Sequence, residues 1–170
     1  MFLIKIIIYI ALLGTSTLIG IMLSGKYTNR VTELKEFKNA LNIFKTKIKF
    51  TYEPIPDVFK EMGELLKNNV GNIFKISSEY MQKETATYAW EKALTENKNL
   101  NLTKEDIKIL LNLSKLLGKT DIEGQISEIE LVDTFLNTQI EEAQKEKQKN
   151  EKLYKTLGIT IGCAIVIIFL

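Results

Sequence analysis

The chain has 170 residues, 23 Lys+Arg against 21 Asp+Glu, no His and a single Cys. Without His there is no His–Asp triad, no imidazole proton shuttle and no His metal ligand. One cysteine excludes an intrachain disulfide and a thiolate cluster. The net charge of +2 gives no reason to expect nucleic acid. Two prolines and nine glycines argue against a loop-rich all-β fold.

The charges are segregated. Residues 3–23, LIKIIIYIALLGTSTLIGIML, carry only Lys5. At about 1.5 Å per residue this run reaches roughly 31 Å, the thickness of a hydrocarbon core. It exceeds the usual h-region of a signal peptide, and no A-x-A-like site or lipid-accepting cysteine follows Ser24-Gly25-Lys26. A retained anchor over residues 1–25 is expected.

The tail from Thr156 to Leu170 is apolar on every helical face and holds Cys163. Extended to Tyr154, with Lys152 and Lys155 snorkelling, it reads as a second membrane segment over 154–170. Gly158 and Gly162 form a G-x-x-x-G spacing suited to close helix packing in a membrane. Basic residues follow the first run (Lys26, Arg30, Lys35, Lys38) and precede the second (Lys145, Lys147, Lys149, Lys152, Lys155). Both runs therefore predict a cytoplasmic middle domain, 26–153, with both termini outside.

That domain reads as helical. Val31, Leu34, Phe37, Leu41, Phe44 and Ile48 form a stripe of period 3–4. Pro54 and Pro56 end this helix, and Pro56 suits the first turn of the next. The second helix carries Val58, Phe59, Met62, Leu65 and Leu66, and Asn68-Asn69 and Gly71 are expected to end it. Ile73, Phe74, Ile76, Tyr80 and Met81 mark a third. Thr85 or Thr87 caps a fourth with Tyr88, Ala89, Trp90, Ala93 and Leu94. Thr103 and Asp106 form a variant capping box before Ile107, Leu110, Leu111, Leu113, Leu116 and Leu117, and Gly118 suits the C′ position. Thr120 or Asp121 opens the last helix, with apolar Ile122, Ile126, Ile129, Val132, Leu136, Ile140 and Ala143. Residues 143–153 read as a charged, solvated stalk. The expected fold class is all-α: an antiparallel bundle of about six helices with a transmembrane helix at each end.

No catalytic signature is visible. Gly118-Lys119-Thr120 lacks the upstream glycine and the strand of a phosphate loop. Glu128/Glu130 and Glu141-Glu142 read as solvated helix faces. No cofactor is implied. Trp90 is either a core anchor or an interface hot spot.

Several segments carry a resemblance by their order: Tyr52-Glu53-Pro54-Ile55, then Ala89-Trp90-Glu91-Lys92-Ala93-Leu94, then Leu116-Leu117-Gly118-Lys119-Thr120-Asp121 with Gln125, and last Lys152-Leu153-Tyr154-Lys155-Thr156-Leu157-Gly158 before the apolar tail. Together they resemble the stage III sporulation protein AB family of endospore-forming bacteria, across essentially the whole chain. The resemblance implies a helical domain similar to the cytoplasmic domains of the type II secretion F protein. It also implies a place in the membrane complex joining mother cell and forespore, a secretion-type ATPase as partner, and no catalytic residues.

On this reading Trp90, Glu91, Asp121 and Gln125 are candidate partner-binding residues. Structural roles compete: a buried indole, a helix stop at Leu117-Gly118, and a carboxylate at a helix start. The function expected is a non-enzymatic membrane platform or adaptor, with self-association open; the alternative is a membrane-anchored helical sensor.

Overall fold

In a computed structural model, residues 2–51, 53–115, 117–118 and 121–169 are described, with side chains from residue 4 onward. The sequence expectations placed on Tyr52, Leu116, Lys119 and Thr120 lie outside the described residues. Six α-helices and no strand occur among the described residues: α1 (Phe2–Phe50), α2 (Ile55–Leu65), α3 (Asn69–Met81), α4 (Ala86–Glu96), α5 (Lys104–Asn112) and α6 (Ile122–Ile168), with a 3-10 turn over Leu113–Lys115. The chain divides into two compact units, one of Met1–Val31 with Glu142–Leu170 and one of Thr32–Glu141.

In the second unit the helix boundaries follow local chemistry. Pro54 precedes α2 in an extended conformation, and Pro56 falls in the first turn, where a missing N–H costs nothing. Asn68 is the N-cap of α3, its side chain accepting from the Gly71 N–H at 2.8 Å. Asn68 to Gly71 therefore open α3 rather than close α2, which already stops at Leu65. Gly71 is required by packing, since a Cβ there would lie 1.6 Å from the Leu66 carbonyl O.

Thr85 caps α4 by accepting from the Tyr88 N–H. Thr103 and Asp106 complete the reciprocal capping box of α5, with bonds of 3.2 and 2.8 Å. α5 stops at Asn112, earlier than its apolar pattern suggests, and tightens into the 3-10 turn. Gly118 has φ +73°, the left-handed geometry glycine adopts without strain. Asp121 caps α6 by accepting from the Gly124 N–H at 2.9 Å.

An aromatic cluster forms the core of this unit. Phe59 of α2 lies 5.1 Å from Phe44 of α1, 5.0 Å from Phe74 of α3 and 5.6 Å from Trp90 of α4, all edge-on. Edge-on rings place a positive rim on a negative face, contributing about 0.5–1.5 kcal/mol per pair beyond area burial. Ile129, Val132 and Leu136 supply the buried stripe of α6. Lys38 of α1 reaches Asp133 at 2.9 Å and Asn137 at 2.7 Å on α6, which sets the register of the two helices. Leu65, expected inward, is instead 63% exposed as the last residue of α2.

The first unit is an antiparallel pair formed by the start of α1 and the end of α6. Tyr9 Oη donates to the Phe169 carbonyl at 2.6 Å, Ser16 Oγ to the Gly158 carbonyl at 2.6 Å, and the Tyr27 and Tyr154 rings stack at 5.9 Å. Arg30, buried, pairs with Glu146 at 2.7 Å. Residues 143–153 are helical throughout, yet not solvated on all sides: Ala143 is buried and Lys147, Asn150, Glu151 and Tyr154 are half-buried along one face. Among the described residues α1 is the one helix long and apolar enough to cross a membrane, and only 6% of its apolar window is buried.

Candidate functional site

Trp90 belongs to the core. It is fully buried, and its Nε1 donates to the Leu110 carbonyl at 2.8 Å. An indole enclosed by Phe37, Phe59 and Phe74 has no surface to offer a partner, so its expected role as an interface contact gives way to the core-anchor alternative.

Glu91, on the next position of α4, is exposed, and its Oε1 accepts from Ser114 Oγ at 2.8 Å. Thr87 Oγ1 donates to the Ser114 carbonyl at 2.9 Å. These two bonds fasten the 3-10 turn to α4. Gln125 of α6 lines a narrow crevice with Phe44, Leu113, Leu117 and Glu128, beside the same turn. Asp121 stands exposed at the start of α6. Glu91 and Gln125 thus meet the turn from α4 and α6. Glu91 pins the 3-10 turn from the middle of α4, whereas Asp121 caps the start of α6.

The sequence named Ile76, Tyr80, Tyr88 and Ala93 only as helix-face residues and Lys92 only within a resemblance segment, yet all five line a cleft of about 870 Å³ between α3 and α4. Lys92 Nζ sits 4.8 Å from the Tyr80 ring centre and 5.4 Å from that of Tyr88. Tyr80 Oη donates to Glu96 at 3.3 Å. The hydrogen bond to Tyr88, with the charges of Tyr80, Tyr88 and Glu96 behind it, holds the Lys92 ammonium above its ordinary pKa. A Tyr-x-x-x-Lys-x-x-x-Glu spacing on α4 was the available signal, since i, i+4 side chains are neighbours on a helix. Among the described residues no group of three or more His, Cys, Asp or Glu side chains could hold a metal ion.

A second feature lies in the first unit, where the sequence named Gly158 and Gly162 but not their partners on α1. Gly158 and Gly162, expected to pack a membrane helix, face the start of α1: a Cβ on Gly158 would lie 2.9 Å from the Ser16 carbonyl, and one on Gly162 3.2 Å from Leu13 and Ser16 side-chain atoms. Gly20 is the matching notch, where a Cβ would lie 2.5 Å from the Tyr154 carbonyl. Ser16, Gly20 and Ser24 recur every four residues, a small-x-x-x-small pattern legible in the sequence.

Among the described residues the chain combines a helical unit with one helix long and apolar enough to cross a membrane, the makeup of a protein with a membrane-competent segment. The comparisons make this specific. The family model for stage III sporulation protein AB matches residues 5–170, and the chain belongs to that family. It is 25% identical over 158 residues to the stage III sporulation protein AB of Bacillus subtilis (strain 168), covering 91% of this chain and 92% of the relative. A solved structure of stage III sporulation protein AB superposes with a TM-score of 0.66 at 22% identity, covering 71% of this chain and 98% of the other, which shows a shared fold. Membership implies association with other stage III sporulation proteins.

Proposed function

We propose that the chain is a non-enzymatic membrane platform or adaptor subunit of the mother cell–forespore channel complex, and that its helical domain docks a secretion-type ATPase in the mother-cell cytoplasm. The observation that carries this reading is the family match over residues 5–170 on a chain that joins a packed helical unit to an apolar helix. The basic residues flanking both apolar runs support a cytoplasmic domain with both termini outside. The antiparallel pairing of residues near Gly20 with Gly158 supports a second membrane segment at the carboxyl end. Glu91, Asp121 and Gln125 are the proposed contacts.

The test is calorimetry of the full chain, held in nanodiscs, against the purified sporulation ATPase. Saturable binding that Glu91→Ala, Asp121→Ala and Gln125→Ala reduce without equal loss of thermal stability supports the reading. Parallel loss of both, or no binding by a folded chain, removes it. The α3–α4 cleft favours a second reading, a membrane-anchored sensor, which small-molecule binding at Lys92 would establish.

A further inference from the structure

We infer that the outward face of α6 within Thr32–Glu141 is a docking surface for a cationic amphipathic helix. Leu131 and Phe135, one helical turn apart, are 47% and 43% exposed, while the opposite face of the same segment buries Ile129, Val132 and Leu136. Nearly half of each of these two side chains is left in solvent, outside the buried stripe of the helix. At 100° per residue, Ser127, Thr134 and Thr138 complete a stripe of short side chains around this pair. Such a stripe allows a second helix to approach closely.

The surrounding charge selects the occupant. From Asp121 to Gln144 the chain carries seven acidic residues and no Lys or Arg. On the helical wheel Glu123, Glu130 and Glu141 run along one edge of the apolar pair and Glu128 along the other. Lys45 reaches Glu130 at 3.6 Å, and Lys38 is committed to Asp133 on the side turned to α1. Glu123 and Glu141 stay exposed. A helix with two or three apolar side chains flanked by Lys or Arg complements this surface in both shape and charge. An acidic or neutral helix leaves the carboxylate rim opposed or undercompensated.

The full chain in nanodiscs of zwitterionic lipid would be titrated with a labelled synthetic amphipathic helix of Leu and Lys, about 18 residues long, and with its Glu-for-Lys counterpart, using empty nanodiscs as blank. The Lys peptide is expected to bind and the Glu peptide not to. Raising salt from about 50 to about 300 mM should weaken binding at least about ten-fold. Leu131→Gln with Phe135→Gln should weaken it about ten-fold or more. Glu123→Gln with Glu141→Gln should flatten the salt dependence and keeps the test valid if the apolar variant fails to fold. Equal binding by either variant, or equal binding of both peptides, overturns the proposal. A self-association of the chain that Leu131→Gln abolishes also overturns it, by identifying a second copy as the occupant.

Discussion

The indole Nε1 of Trp90 donates to the carbonyl of Leu110 at 2.8 Å, twenty residues further along the chain. That carbonyl also receives the Leu113 N–H at the end of α5. Trp90 thus joins the aromatic cluster of α1 to α4 to the point where α5 tightens into its 3-10 turn. Trp90→Ala should destabilise the unit by about 3–5 kcal/mol, the usual result of emptying a large aromatic site. Trp90→Phe should cost less, about 2 kcal/mol, because a smaller void remains and Leu110 keeps one donor. Urea denaturation followed by far-ultraviolet circular dichroism measures both.

Gly71 permits the tight passage from α2 to α3. A methyl there overlaps the Leu66 carbonyl, and the nearest backbone cannot yield as a flexible side chain would. Gly71→Ala should cost about 3 kcal/mol, at the upper end of ordinary overpacking. Gly25 has open space around its Cβ position, and Gly25→Ala should be neutral or stabilising by up to about 1 kcal/mol. Thermal melts of the two variants side by side separate a packing requirement from helix propensity.

Glu33 is 4% exposed and anchors the loop before α5. Its carboxylate accepts the Asn101 backbone N–H at 2.6 Å and the Asn101 side-chain amide at 2.9 Å. Glu33→Ala strands a backbone donor and should cost about 2–3 kcal/mol, whereas Glu33→Gln keeps one acceptor oxygen and should cost about half that. Faster hydrogen exchange at Asn101 in the Ala variant, read by mass spectrometry, would locate the loss.

Glu36 behaves oppositely. Desolvation raises its carboxyl pKa above the ordinary 4.5, with Glu33 adding to the rise and a hydrogen bond from Asn68 opposing it. A raised carboxyl pKa means the folded chain takes up the proton more readily than the unfolded chain. The penalty is therefore full above the folded value, and stability recovers as pH falls toward 4.5. Glu36→Gln should raise Tm by about 1–2 °C at neutral pH, with the gain vanishing near pH 4. A gain that persists at low pH would assign the effect to something other than ionisation.

The glycine notch of the first unit can be tested in a bilayer. Cysteines at Leu13 and Gly162, in a Cys163→Ser background, should crosslink on oxidation, because a Cβ at 162 lies 3.4 Å from the Leu13 Cα. Gly20→Ile should abolish that crosslink by forcing the helices apart. Crosslinking that survives Gly20→Ile would show that the pairing does not depend on the notch.

The local signals in the sequence matched the structure wherever one short segment held the whole cause. Thr103 with Asp106, Thr85 and the Pro54–Pro56 pair act within a single turn, and each stands at the helix start expected of it. Asn68 and Gly71 misled because Asn and Gly suit both ends of a helix. Only the contact with Leu66 shows that this glycine belongs inside α3. Leu65 misled because helical spacing does not say which end of an amphipathic face runs beyond the core.

Composition and periodicity alone pointed to a helical protein, excluded His-based chemistry, an intrachain disulfide and a thiolate cluster, and set its apolar ends apart from its middle; the order of its segments pointed to its family. Tertiary structure alone decided that Trp90 is core, that Glu91 pins a turn through Ser114, that Glu33 holds a loop 68 residues away, and that Gly158 meets Ser16 and Gly20. The physical reason is range. Helix propensity, capping and hydrophobic period are set by neighbours within about one turn, whereas burial and pairing depend on which distant surfaces the whole chain brings together.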